Sequence, residues 1–245
     1  MFQPDSEHTL EFTRSLQTRI EQHSVCKGYG YVLGKNGDKV MCTCRQEALF
    51  QYRLAMSGIP PKFRALGFKD YAYKESDTYR KVQAYLAAAH EHRETGMGLY
   101  LYGPSYTGKT LLACSLLTEL MKAGYTCRYV SFDMILEQKE NWKSLFLGAH
   151  FIGLDRVGEI LDKLTNSRDG ILTGNRIYGA AEFLSQVMAH CVNWNIPLII
   201  SSSASLSTVN TTFPSLANLI MGNCKLISCE DKGFRQKRIE QMMMD

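Results

Sequence analysis

One stretch of eight residues constrains the fold of this chain more than any other, because it matches the pattern G-x-x-x-x-G-K-[ST] at every fixed position. An apolar run at 98–102 precedes it and the apolar run 111–113 follows it, which predicts a strand, a loop and a helix in that order. Such a unit belongs in a parallel sheet and therefore predicts an α/β fold. The loop residues are Gly103, Pro104, Ser105, Tyr106, Thr107, Gly108, Lys109 and Thr110.

The residue types in this loop suit a nucleotide phosphate. Glycines let backbone N–H groups converge on phosphate oxygens, and the start of the next helix adds partial positive charge. We expect Lys109 to reach the β- and γ-phosphates of ATP, the Thr110 hydroxyl to ligate Mg²⁺, and Leu111 to complete the binding segment. As a residue at a loop tip, Lys109 is expected to add little to stability. The alternative is an ordinary glycine-rich turn.

A downstream acid argues against that alternative. Asp155 ends the apolar run 151–154, and an acid at the carboxyl end of a buried strand is where P-loop proteins hold Mg²⁺ through water. The next residue is Arg156, where hydrolysing ATPases usually carry an acid that orients the attacking water. A guanidinium stays protonated and cannot act as a general base. We therefore expect ATP binding with weak or absent hydrolysis, unless Glu159 or Asp162 substitutes.

A second cluster lies near the N-terminus. His23 and Cys26 precede an Asn36-Gly37 hairpin-turn signal, and Cys42 and Cys44 follow it. These four residues form a closed set of nitrogen and sulfur ligands suited to structural Zn²⁺. The metal would supply folding free energy that a segment of about forty residues cannot gain from its own core. The alternative is three buried thiols beside an exposed histidine.

Composition and cysteine usage indicate a cytoplasmic protein. The chain has 28 Lys and Arg against 24 Asp and Glu, a net charge of +4 that permits a nucleic-acid partner without requiring one. The longest strongly apolar stretch, at 196–200, is the size of a strand and too short for a membrane span. The N-terminus lacks the features of a signal peptide. The remaining five cysteines fit reduced core thiols: Cys114, Cys127, Cys191, Cys224 and Cys229.

Hydrophobic periodicity divides the chain into a small N-terminal module and a larger alternating domain. We predict helices at 9–22, 45–57, 78–94, 109–123, 133–146 and 176–194, and strands at 30–33, 39–41, 98–102, 126–132, 150–154 and 196–201. Helices of this length between strands predict a parallel sheet with helices on both faces. The expected domains are 1–58, a linker and nucleotide-pocket entry at 59–77, and 78–245.

Several further stretches, with the loop and the Cys-rich segment, resemble bacterial and phage helicase loaders of the DnaC and DnaI type, which are AAA+ ATPases, and their IstB-like relatives. They are the stretches 59–63, 67–71, 154–158, 197–203 and 230–235. The resemblance covers nearly the whole chain and implies an AAA+ P-loop domain preceded by a small zinc-binding hairpin module. It implies that Ser203 stands at the polar sensor position and that Arg235 reads the γ-phosphate.

The chain departs from the family pattern at three places. No arginine stands in the stretch 214–219, where the family places the arginine that reaches a neighbour's site, and Asn218 is the closest match. The segment 133–151 is shorter than the family's helical insert that touches single-stranded DNA. Together with Arg156, these departures predict weak hydrolysis and an altered DNA contact.

The resemblance implies an ATP-binding helicase loader. Residues 1–58 would grip the hexameric replicative DNA helicase, and the AAA+ domain would self-associate on nucleotide and help place the ring on single-stranded DNA. One alternative is a non-hydrolysing helicase-binding inhibitor or adaptor, and another is an IstB-like transposition helper that coats duplex DNA. A small-molecule kinase is a weaker alternative, because no acceptor-binding lid is evident. A basic stretch could touch phosphates or form a solvated face: Lys232, Arg235, Lys237 and Arg238.

Overall fold

The computed structural model describes residues 6–138, 140–159 and 172–230. The chain divides into two compact units, Met1–Gly58 and Ile59–Asp245. The predicted γ-phosphate reader Arg235 lies outside the described residues, as do Asp162 and the basic stretch 232–238. In the described part, no helix has the length and apolar character needed to cross a membrane.

The first unit is a hairpin between two helices. Helix α1 spans Ser6–Glu21, strands β1 and β2 span Tyr31–Leu33 and Lys39–Met41, and helix α2 spans Thr43–Met56. The strands pair antiparallel, as the Asn36-Gly37 signal predicts. Gly37 has a φ of +82°, and the Gly34 N–H closes the turn on the Asp38 carbonyl at 2.8 Å. The turn therefore folds the two halves of the Cys-rich segment back on each other.

The second unit is built on a five-stranded parallel sheet flanked by helices, which confirms the predicted α/β class. Its strands are β3 Gly98–Tyr102, β4 Cys127–Ser131, β5 Phe151–Asp155, β6 Leu198–Ser202 and β7 Cys224–Ser228. Its helices are α3 Pro61–Arg64, α4 Asp77–Ala87, α5 Ala89–Thr95, α6 Lys109–Lys122, α7 Phe132–Glu137, α8 Leu172–Asn193, α9 Leu206–Thr212 and α10 Pro214–Asn223. Short 3₁₀ turns cover Phe68–Asp70 and Trp142–Phe146.

The strand order positions the predicted site. The sheet runs β4-β5-β6-β3-β7, so β3 and its loop lie between β6 and β7, and β5 lies one strand further along. The first four residues of both β3 and β5 are buried, as expected of strands covered on two faces. Because all five strands are parallel, their carboxyl ends meet at one edge. The phosphate-binding loop and Asp155 therefore open on the same edge of the sheet.

The predicted helix at 78–94 is two helices, which meet at Ala88. Ala88 has φ −94° and ψ +20°, outside the helical region. A continuous helix would separate Tyr85 from His92 by about 10 Å along its axis. The break brings their rings into a stack with centroids 4.1 Å apart. Tertiary packing of this buried pair therefore overrides the local helical pattern.

The predicted helix at 133–146 was also wrong. Helix α7 ends at Glu137, and a 3₁₀ turn carries Trp142 and Phe146 into the core. Their rings meet edge to face at 5.4 Å, and Trp142 also contacts Phe183 of α8 at 5.9 Å. The chain turns here because burying both aromatic rings is worth more than extending a six-residue helix.

The region after β6 carries elements that periodicity did not reveal. Ser205 caps α9 by accepting a hydrogen bond from the Thr208 N–H, and Pro214 begins α10. Strand β7 then adds to the sheet edge beside β3. It is short and partly exposed, so its sequence carries little apolar signal.

Candidate nucleotide site and metal cluster

Two glycines shape the phosphate-binding loop. Gly103 has a φ of +143°, and a Cβ there would lie 2.4 Å from the Cys229 carbonyl oxygen. Gly108 has a φ of +89° as the N-cap of α6, and a Cβ there would lie 2.8 Å from the Tyr71 ring. At both positions any side chain would meet a backbone or a buried ring. The glycines are therefore required by close packing as well as by backbone conformation.

Lys109 is folded into its own loop. Its Nζ donates to the carbonyl oxygens of Gly103 at 2.8 Å and Pro104 at 2.6 Å, and to the Thr107 hydroxyl at 3.3 Å. The residue is only 9% exposed. The sequence-based assumption that Lys109 is a residue at an exposed loop tip is therefore wrong, because its ammonium group is buried and ties the loop together. These same three acceptors place the cation inside the curve of the loop.

Thr110 and Asp155 come together at the start of α6. The Thr110 hydroxyl lies 3.2 Å from Asp155 Oδ2 and 3.4 Å from Oδ1. This is the predicted pair for Mg²⁺, a hydroxyl and a carboxylate on neighbouring elements. Sequence spacing placed each residue on its own element, and the parallel sheet brings them into contact.

Two further residues at this carboxylate were missed by sequence reasoning. Tyr129 donates its hydroxyl to Asp155 Oδ2, and Ser201 donates its hydroxyl to Oδ1. They lie on β4 and β6, the two strands that flank β5. Burial raises the pKa of the Tyr129 phenol, and the charge of Asp155 raises it further. Strand order was the signal needed to find them, because both lie far from Asp155 in sequence.

The Arg156 guanidinium forms ion pairs with two carboxylates, those of Glu159 and Asp133. Its Nη2 lies 2.7 Å from Glu159 Oε2, and its Nη1 lies 3.4 Å from Asp133 Oδ2. The hydrogen bond to Glu159, followed by the charges of both acids, raises the pKa of Arg156 above its ordinary value. Glu159, a predicted substitute for the expected acid after Asp155, is therefore the ion-pair partner of Arg156.

The remaining predicted residues that the structure describes lie in three other segments. Ser203 directly follows β6. Its backbone is in close contact with that of Gly158, because a Cβ added to Gly158 would lie 2.1 Å from the Ser203 nitrogen. Asn218 is exposed on α10. In the segment 59–77, the Tyr71 hydroxyl donates to the Thr107 carbonyl at 3.5 Å and its ring stacks on Tyr79. This segment therefore supplies an aromatic wall beside the loop.

The four N-terminal ligands converge in the first unit. Their ligand atoms all lie within 4.8 Å of one another: His23, Cys26, Cys42 and Cys44. Positive φ angles at Lys27, Gly28 and Gly30 form the tight turn after the first pair. Cys26 and Cys42 are buried, while His23 and Cys44 are partly exposed.

Three of the six separations among these ligand atoms agree with those of a tetrahedral zinc shell. Zinc–sulfur bonds of about 2.3 Å and zinc–nitrogen bonds of about 2.0–2.1 Å require ligand atoms roughly 3.5–3.8 Å apart. The His23 Nδ1 atom lies 3.6 Å from Cys26 Sγ and 3.5 Å from Cys42 Sγ, and the Cys26 and Cys44 sulfurs are 3.6 Å apart. This donor set is chemically suited to Zn²⁺.

The pKa values of two thiols in this cluster depart from the ordinary cysteine value in opposite directions. Burial alone would raise the pKa of Cys26, but hydrogen bonds from the Gly30 backbone and from His23 lower it to about 6. Burial and hydrogen bonds with the other two thiols raise the pKa of Cys44 to about 11. Thiolates are the metal-binding form of cysteine.

Comparisons with known proteins place the chain among nucleotide-binding relatives. A family model described as IstB-like ATP-binding protein matches residues 19–144, half of the chain. A Bacteroides fragilis protein, described as an insertion sequence IS21-like protein proposed to bind ATP, is 32% identical to this chain over 92 residues. Those residues make up 38% of this chain and 34% of that protein. The chain thus spans about a third of that relative's length.

Solved structures share the fold of the second unit at low sequence identity. The structure of DnaI has a TM-score of 0.56 at 15% identity, covering 74% of this chain and 98% of that one. A proposed primosome component from Streptococcus pyogenes serotype M3 has a TM-score of 0.52 at 15% identity, covering 72% and 93%. The replication initiator DnaA bound to AMPPCP and single-stranded DNA has a TM-score of 0.53 at 17% identity, covering 76% and 56%.

Proposed function

Because this chain belongs to the family of IstB-like ATP-binding proteins, we propose that it binds ATP and uses the nucleotide to control assembly on a hexameric replicative helicase. The observation that carries the proposal is the meeting of Lys109, Thr110 and Asp155 at one edge of the sheet. Lys109 would bind phosphate, and Thr110 and Asp155 would hold Mg²⁺. When bound, Mg²⁺ neutralises charge on the phosphates.

In this proposal ATP is a ligand and not a fuel. Arg156 occupies the position of the water-orienting acid, and it forms an ion pair with Glu159, the first acid after it in the sequence. In the stretch 214–219 no arginine is present to reach a neighbour's site. ATP would then shift the protein towards the assembled state that binds it better, without rapid turnover.

The first unit is proposed to be the helicase-binding module. Half of the large apolar side chains that are exposed in the described residues lie in this unit: Val25, Tyr29, Leu33, Val40 and Tyr52. Exposed apolar residues concentrated in a small unit favour a protein partner. We propose that Zn²⁺ held by His23, Cys26, Cys42 and Cys44 fixes the shape of this module, because a hairpin and two helices bury little core.

A pull-down with a hexameric replicative helicase tests this module. Wild type is expected to retain the helicase, and more of it with ATP than without. Leu33→Asp should release it, because a charge would enter an interface at a side chain that is 80% exposed. Leu147→Asp is the matched control, since Leu147 is 79% exposed in the other unit. Equal loss in both variants, or no retention by wild type, would overturn the helicase proposal.

Loading and inhibition are distinguished by the helicase's own activity. A loader should increase helicase assembly on single-stranded DNA in the presence of ATP, and Lys109→Ala should remove the increase. Self-association of the second unit on nucleotide would be visible by sedimentation of the same samples. A fall in helicase assembly on single-stranded DNA when the protein is added would identify an inhibitor instead.

A second candidate is an ATP-dependent transposition helper, and the IS21-like relative favours it. That protein is 32% identical over 92 residues, well above the identity of the loader structures. A helper of this kind would coat duplex DNA and ignore the helicase. Cooperative, ATP-dependent binding to long duplex DNA without helicase retention would therefore favour the second candidate over the first.

A further inference from the structure

We propose that Tyr129 is a positioning residue that fixes the Asp155 carboxylate for Mg²⁺, an inference that rests on the proposed nucleotide site. Its hydroxyl donates directly to Asp155 Oδ2. Tyr129 lies on β4, away from the phosphate-binding loop, and nothing in the P-loop pattern requires a tyrosine there. The side chain reaches a carboxylate at the end of β5, the strand beside its own.

Gly153 provides space beside the Tyr129 ring. Tyr129 pairs with Gly153 in the parallel register of β4 and β5, two residues before the strands end at Ser131 and Asp155. A Cβ on Gly153 would lie 3.3 Å from the Tyr129 ring and 2.6 Å from the Leu117 side chain. The glycine therefore leaves a gap on the sheet surface in which the ring lies. From this gap the hydroxyl reaches the carboxylate at the end of β5.

Asp155 is held from three directions. Tyr129 donates from β4, Ser201 donates from β6, and the Thr110 hydroxyl approaches from α6 at 3.2 Å. A carboxylate offers about four lone-pair positions. With hydroxyls on both flanking strands its plane is fixed, and the side facing Thr110 is directed to the predicted Mg²⁺ position.

The Tyr129 hydroxyl is chemically suited to a lasting donor role. Tyr129 is buried, with 8% of its surface exposed. Away from water, its O–H has the Asp155 carboxylate as its acceptor. Partners that orient a metal-binding carboxylate commonly change metal affinity by about 10- to 100-fold when they are removed. We expect the same dependence on Tyr129.

Titration of ATP affinity with Mg²⁺ tests this inference in the full-length protein. Tyr129→Phe keeps the ring in place and removes only the donor. We expect the Mg²⁺ concentration for half-maximal ATP affinity to rise about 10-fold, while ATP affinity in EDTA stays at the wild-type value. A purely structural role would change both quantities or neither. Tyr100→Phe is the matched control, because it removes a buried hydroxyl of the same sheet that donates to the Ala204 carbonyl at 2.9 Å.

Each outcome decides the inference. An unchanged Mg²⁺ requirement in Tyr129→Phe, or an equal rise in Tyr100→Phe, overturns it. If Tyr129→Phe does not fold, Ser201→Ala removes the donor on the other flanking strand, and an unchanged Mg²⁺ requirement in that variant overturns the idea of a fixed carboxylate. If wild type binds no ATP with or without Mg²⁺, the proposed nucleotide function fails and this inference falls with it. If wild type binds ATP but the variants keep the wild-type Mg²⁺ requirement, the inference fails while the proposed nucleotide function stands.

Discussion

The guanidinium of Arg156 is bound to the carboxylate of Glu159, with Nη2 and Oε2 2.7 Å apart. Asp133 lies on the other side of the guanidinium, 3.4 Å from Nη1. Arg156 itself adopts a left-handed backbone conformation with a φ of +64° directly after Asp155. The residue directly after Asp155 is therefore a cation paired with two acids.

The first prediction is that the protein binds ATP and turns it over at well below about one per second, the lower end for ordinary enzymes. Water-positioning residues and arginine fingers each contribute large factors, the finger alone about 10³–10⁵. A steady-state phosphate-release assay measures the rate, with helicase and single-stranded DNA added. Turnover near one per second that disappears in Lys109→Ala would show that another residue activates water.

Arg156→Glu checks whether the acid alone is missing. This change restores an acid after Asp155 and also releases Glu159 from its ion pair. An increase in turnover over wild type would assign the deficit to Arg156. No increase would assign a second deficit to the region of Asn218. Arg156→Gln is the control, because it releases Glu159 without adding an acid.

The second prediction is that Lys109→Ala weakens ATP binding by about 10- to 100-fold or more, since a charge-assisted hydrogen bond to phosphate is worth about 1.5–3 kcal/mol. The variant should also lose about 1–3 kcal/mol of stability, because Nζ donates to two loop carbonyls and the Thr107 hydroxyl. Calorimetric titration and a thermal melt measure the two effects. Equal ATP affinity in wild type and variant would show that the loop is not a nucleotide site.

The third prediction is one zinc ion per chain, held by His23, Cys26, Cys42 and Cys44. Elemental analysis of purified protein should detect it. Cys42→Ser should release it and make residues 1–58 sensitive to protease, because the metal supplies much of the folding free energy of the first unit. The second unit should keep its melting transition, because the chain divides at Gly58 and each unit has its own contacts.

Cys191→Ser is the matched control for the zinc prediction. Cys191 is a buried thiol of the second unit and lies outside the cluster. Its substitution should leave the zinc content at the wild-type value. Metal-free wild-type protein with a protease-resistant N-terminal unit would contradict the prediction.

The fourth prediction concerns His92, whose protonation should make the second unit less stable in acid. The ring is 1% exposed, and neither of its nitrogens has a hydrogen-bond partner in the described residues. Burial lowers the pKa of His92, Lys225 lowers it further, and Glu91 raises it in part. The unfolded chain therefore binds a proton at higher pH than the folded one. The contribution of neutral His92 to the free energy of unfolding is fully present above the ordinary histidine pKa of 6.5, and it is lost as the pH falls below that value.

His92→Phe should reduce this pH dependence while keeping the stack on Tyr85. Melting of the second unit, measured at about pH 7.5 and at about pH 5.5, gives the comparison. His90→Phe changes an exposed ring one residue away from Glu91 and serves as the control. An identical acid loss in wild type and His92→Phe would assign the pH dependence to other groups.

Sequence periodicity predicted most elements that hold the site, within one to four residues at their ends. The strand before the loop matched its predicted range, 98–102, and the helix after it began at Lys109 as predicted. Both are signalled by residues close in sequence: an apolar run, two glycines and a lysine. The two predicted helices that were wrong, at 78–94 and 133–146, are interrupted where aromatic rings pack together. His92 stacks on Tyr85, seven residues before it, and Trp142 contacts Phe183, which is distant in sequence.

The sequence by itself determined the P-loop, the α/β class and the N-terminal set of His23, Cys26, Cys42 and Cys44, because each depends on the spacing of neighbouring residues or on a single turn. Tertiary structure alone decided what surrounds Asp155. The hydroxyls of Tyr129 and Ser201 reach it only because β4 and β6 flank β5 in the parallel sheet. Strand order is set by how helices and strands bury their apolar faces over the whole domain, and no local pattern encodes it.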